Sequence, residues 1–81
     1  MNCKSKSIIL SALYDTIIKA QDYNEIPWLG KRTAFQAQGI LYVAGKLGLL
    51  NKEWEESLSN YLRHLIIGYT KMEEEQSNTK P

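Results

Sequence analysis

Between positions 54 and 72, seven large apolar residues (Trp54, Leu58, Tyr61, Leu62, Leu65, Tyr69 and Met72) recur mostly at spacings of three and four. At about 100° per residue these positions form one stripe along an α-helix. Glu53, Glu55 and Glu56 occupy the first turns, where the helix dipole favours negative charge, and Asn51 is a good N-cap. A helix with one apolar stripe draws most of its stability from whatever covers that stripe. The rest of the chain must therefore supply the cover.

Two further segments have helical periodicity. From about Ser5 to Asp22, the residues Ile9, Leu10, Leu13, Tyr14, Ile17 and Ala20 share one face, and Asp15, Lys19 and Asp22 share the other. Ile8 lies outside the apolar stripe. Pro27 biases Ile26 towards an extended conformation and ends the first helix near Asn24. The second helix starts either at Pro27, which suits a first helical turn, or at Thr33, a competent N-cap, and runs to about Leu47; Thr33 is favoured, with a possible single turn before it, because Gly30 weakens helix. Ala37, Ile40, Leu41, Ala44 and Leu47 form one of its faces; Phe35, Gly39 and Tyr42 form another, which Trp28 would extend. Lys46 is its only charge from Thr33 to Leu50, so it reads as the enclosed, central helix. Gly48 suits a helix C-terminus, and the link to the third helix is short.

No segment alternates apolar and polar residues for long enough to read as a strand. The expected fold is all-α, a compact three-helix bundle over residues 1–73, with a frayed acidic tail over 74–81. That tail falls in EEEQSNTKP, where the glutamates oppose the C-terminal end of the helix dipole. Eighty-one residues, 43% hydrophobic and 23% charged, suffice for one core. A core this small would gain from self-association, so a homodimer is an open expectation.

Few activities fit the inventory. One cysteine, Cys3, and one histidine, His64, provide neither an internal disulfide nor a zinc site of the usual kind, and no cofactor is expected. His64 falls on the polar side of the third helix, and Glu53, Glu55 and Glu56 read as dipole and solubility residues rather than catalytic carboxylates. GKLG at Gly45–Gly48 lacks the spacing and the Lys-Ser or Lys-Thr end of a phosphate loop. Lys4 and Lys6 before Ile8, Ile9 and Leu10 only imitate a secretory signal, and no window reaches the roughly 18 apolar residues of a membrane span. A non-enzymatic, cytoplasmic protein is the expectation.

Charge is uneven along the chain. Residues 1–50 hold six basic and three acidic residues, and residues 51–81 hold four and six. From Ile26 to Asn51 there is no acid, and Lys31, Arg32 and Lys46 accompany Trp28, Phe35 and Tyr42. The aromatics could be the side of the central helix that packs on its neighbours. Alternatively, Trp28, Lys31, Arg32, Phe35, Tyr42 and Lys46 form a surface for an acidic protein partner, or a nucleic-acid platform that stacks bases. Ala44, Gly48 and Trp54 also have the spacing of a helix-turn-helix. Its recognition helix would then offer Glu53, Glu55 and Glu56 to DNA, so nucleic acid is the less favoured partner.

The stretch QGILYVAGKLGLLNKEWEESLSNYL, Gln38 to Leu62, resembles short helical proteins encoded by phages and mobile elements of Gram-positive bacteria. That resemblance covers about a third of the chain and carries no site residues. It implies a protein that binds and modulates a larger host or phage protein, for example as an inhibitor of a defence system. A structural homo-oligomer joined through Ile8 and Ile67 is a further alternative.

Overall fold

The computed structural model describes residues 3–78; residues 79–81, which the expected tail includes, and the Cys3 side chain lie outside what it describes. Three helices make up the bundle: α1 (Cys3–Asp22), α2 (Pro27–Lys46) and α3 (Lys52–Asn78). There is no strand among the described residues. The bundle measures 55 × 21 × 14 Å.

Local chemistry sets the helix ends. The Ile26 N–H donates to the Tyr23 carbonyl at 3.1 Å, closing the turn after α1. Ile26 is then held extended (φ −128°, ψ 77°), and Pro27 occupies the first turn of α2, where its missing N–H costs nothing. α2 thus starts six residues before the favoured Thr33. Leu29 and Gly30 N–H groups already donate to the Ile26 carbonyl at 3.0 and 3.1 Å. Thr33 is no cap: it is buried inside the helix, with its hydroxyl donating to the Leu29 carbonyl at 2.8 Å.

The other end of α2 follows the expectation. Gly48 takes φ +70°, its N–H donates to Gly45, and the Leu49 N–H donates to Ala44, which is a Schellman closure. Asn51 Oδ1 then accepts the Trp54 N–H at 2.7 Å and caps α3.

Among the three helices, α2 is central and packs extensively against both others. Its inner side carries Gly30, Ala34, Ala37, Leu41 and Ala44, all buried, and the small residues let both neighbours approach closely. Leu13, Ile17 and Ala20 from α1 and Leu58 and Leu62 from α3 complete the core. α1 and α3 meet largely through long side chains. Trp54 Nε1 donates to the Tyr14 hydroxyl at 2.8 Å, and Gln21 Nε2 donates to the Tyr61 hydroxyl. These three aromatics, expected on buried stripes, lie partly exposed along that seam, apolar on one side and hydrogen-bonded on the other.

Tyr69 fastens the assembly. Its ring lies against Gly30, where a Cβ would come within 2.6 Å of Cε2, and its hydroxyl donates to the Ala20 carbonyl. That carbonyl belongs to the last turn of α1 and has no partner within the helix to rely on. One side chain of α3 therefore touches α2 and closes α1.

α3 also continues past the expected limit at residue 73, as far as Asn78. Glu73 turns back to Lys31 on α2 at 3.3 Å, so one of the glutamates expected to oppose the helix end is instead drawn onto a neighbouring cation.

Two stability predictions follow from the Tyr69 contact. Gly30→Ala forces the ring away and should cost about 1–3 kcal/mol in a denaturant titration. Tyr69→Phe leaves the Ala20 carbonyl unpaired and should cost about 1–2 kcal/mol at neutral pH. Burial pushes the Tyr69 phenol above its ordinary 10.0, with Tyr61 and Asp22 acting the same way and the Tyr23 backbone opposing. The unfolded chain thus loses this proton first, and stability held below pH 10 is lost as pH rises through the folded-state value. The gap between wild type and Tyr69→Phe should narrow above that pH; a constant gap contradicts the assignment.

Candidate interaction surface on α2

A 20-residue helix wedged between two others still has one side to spare. On α2 that side carries Trp28, Arg32, Phe35, Gly39, Tyr42 and Lys46, at successive spacings of four and three. The spacing keeps all six on one line, away from buried Ala34, Ala37 and Leu41. Trp28 is 59% exposed, Phe35 52% and Tyr42 65%. The reading of these aromatics as core is therefore overturned. Apart from Leu41, the buried side of α2 is made mostly of small residues, which leaves its aromatics on the outside.

Five of the six sequence candidates share this face. Arg32 and Lys46 are exposed, and among the described residues neither is ion-paired. Lys46 Nζ sits 5.4 Å from the centre of the Tyr42 ring, a cation–π distance that leaves its charge available at the surface. Lys31 falls at the margin. It is committed to Glu73, whose buried Oε1 has no aligned hydrogen bond despite the 3.3 Å approach. With both side chains about one-third exposed, that ion pair is worth no more than about 1 kcal/mol.

A second feature adjoins the line and was not foreseen. α1 and α2 leave between them an open groove of about 620 Å³, lined by Ile8, Ile9 and Ala12 and by Gln36, Gly39, Ile40 and Val43. Gln36 is the one polar side chain in that lining. Ile8, the residue that fell off the α1 stripe, is 60% exposed at the groove wall. Val43 is 48% exposed and continues the apolar surface towards Tyr42. In sequence the groove was signalled only by that misfit isoleucine and by a glycine in mid-helix.

Gly39 belongs to both the line and the groove. The glycines of α2 differ in what fills the space of the missing side chain. Tyr69 fills it at Gly30, and the Glu55 carboxylate fills it at Gly45, where a Cβ would come within 2.7 Å of Cδ. At Gly39 nothing lies within 4 Å. Gly68 on α3 is equally open, but His64, Lys71 and Glu75 share its side of the helix.

Other candidate chemistry is not assembled. Among the described residues no three His, Cys, Asp or Glu side chains cluster to hold a metal ion. His64 is exposed, and Glu55 is turned towards Gly45 while Glu53 and Glu56 face solvent. Among the described residues no helix is long and apolar enough to cross a membrane.

A glycine that accommodates no neighbour weakens its helix without any return inside the chain. Gly39→Ala should raise unfolding stability by up to about 1 kcal/mol, read from a urea titration. A loss of stability would show that something in the fold occupies the notch. Comparison with known protein families, with curated proteins and with solved structures finds no match for this chain, so its geometry is what bears on function.

Proposed function

We propose that the chain is a small, non-enzymatic protein-binding module that works through the outer face of α2. The observation that carries this reading is the line of three large aromatics held largely in water on one helix face. Aromatic residues and arginine supply much of the binding energy at protein interfaces, and here Trp28, Phe35 and Tyr42 alternate with Arg32 and Lys46. Large aromatics exposed together on one helix face mark candidate interaction sites. The resemblance to phage and mobile-element proteins favours a larger host protein as the target, with the chain acting in the cytoplasm as an inhibitor or regulator.

A helix-turn-helix DNA reader has less support. Gly45 lies against Glu55 near the turn, Gly30 against Tyr69, and Lys31 reaches Glu73 further on, so α2 and α3 run side by side rather than crossing at about 90–120°. The first turn of α3 also carries acids. A structural homo-oligomer through Ile8 and Ile67 would join an α1 groove wall to an α3 position beside Gly68; both residues are exposed, but Ile67 takes no part in the groove that Ile8 lines.

The test is a Trp28→Ala/Tyr42→Ala double variant. Its helical circular dichroism and melting curve should match wild type, while the affinity for a co-purified host protein should fall by about 30-fold or more. Ile67→Ala on α3 serves as the control. Unchanged affinity in the double variant would remove this face from the account.

A further inference from the structure

Resting on the reading of the outer face of α2 as a binding surface, we propose that its occupant is one helix of another protein. That helix seats a large apolar side chain in the notch at Gly39. It carries acidic residues about seven positions to either side, opposite Arg32 and Lys46. Three observations meet in this geometry.

The first is the notch. Within the bundle, α2 receives a side chain from α3 at Gly30 and another at Gly45, so glycine on this helix marks places where a neighbour comes close. Gly39 repeats the arrangement on the open side, where the missing side chain leaves space rather than a contact. A helix laid along the groove between α1 and α2 would meet Ile8, Ile9 and Ala12 on one wall and Ile40 and Val43 on the other. It would pack at the usual interaxial distance of about 8–10 Å, with glycine permitting the nearer end of that range.

The second is the placement of charge. Arg32 and Lys46 each lie seven residues from Gly39, which is roughly 10 Å along the axis in either direction. Neither is ion-paired within the described residues, and no acid occurs from Ile26 to Asn51. The face therefore presents an apolar centre between two cations, and its complement is an apolar centre between two anions.

The third rules against a second copy of this chain. Antiparallel pairing of α2 across Gly39 sets Arg32 against Lys46 of the other copy, and parallel pairing sets each against itself. Both registers bring like charges together on α2, whose segment from Ile26 to Asn51 has no acid to offset them.

The test is a selection. A displayed library of amphipathic helical peptides of about 20 residues, long enough to span the roughly 21 Å from Arg32 to Lys46, is enriched on the immobilised full chain. Enriched peptides should converge on a large apolar residue flanked at about seven positions by Asp or Glu. Binding should weaken at least about tenfold on Gly39→Leu, which closes the notch, and on Arg32→Glu/Lys46→Glu. Peptides with Lys in place of the acids should bind the charge-reversed chain in preference to wild type. Binders with no acidic bias, or binders indifferent to Gly39→Leu, would overturn this inference. If those binders were still lost on Trp28→Ala/Tyr42→Ala, the outer face of α2 would stand. Binders indifferent to every variant would overturn both readings. A dimer in sedimentation that Gly39→Leu abolishes would assign the groove to a second copy and overturn the inference in that way.

Discussion

Tyr69 is the contact on which the arrangement of the three helices depends. Its ring occupies the space left by Gly30 on α2, and its hydroxyl takes up a carbonyl in the last turn of α1. A chain of 81 residues buries only a small core, here mostly alanine and leucine, so a single residue that links all three helices has unusual weight. The position is demanding. The ring requires glycine opposite it, and the hydroxyl requires that α1 end within reach.

That close approach explains how α2 is divided. Two neighbours can pack on one helix only if its inner side is small, and Gly30, Ala34, Ala37 and Ala44 meet that need. The bulk that α2 does carry then stands on the remaining side. Trp28, Phe35 and Tyr42 are exposed as a consequence of the same packing that buries the alanines. The proposed binding face and the core are two sides of one constraint on α2.

Much of this was legible in the sequence, for reasons that differ by element. The α3 stripe and its Asn51 cap could be read directly, because threefold and fourfold spacing has one interpretation and Trp54 N–H does bond to Asn51. The Gly48 closure was legible for the same reason. Of the two possible starts of α2, Thr33 was favoured because it can cap a helix and Gly30 weakens one, whereas Tyr69 gives that glycine a packing role 39 positions away in sequence. The two faces of α2 were both visible, but periodicity cannot say which of two apolar faces turns inward. Side-chain size decides it, and the small face won. The groove at Gly39 depends on how α1 lies against α2, a tertiary fact that Ile8 only hinted at.

The central claim is that α2 turns its small residues inward and its aromatic line to solvent. Paramagnetic relaxation by a soluble nitroxide, read on the side-chain resonances of the isolated chain, tests it most directly. The account predicts strong broadening of Trp28, Phe35 and Tyr42, with Tyr69, Leu13 and Leu62 protected. Protection of the three α2 aromatics in a monomeric sample, or broadening of Tyr69, would contradict it.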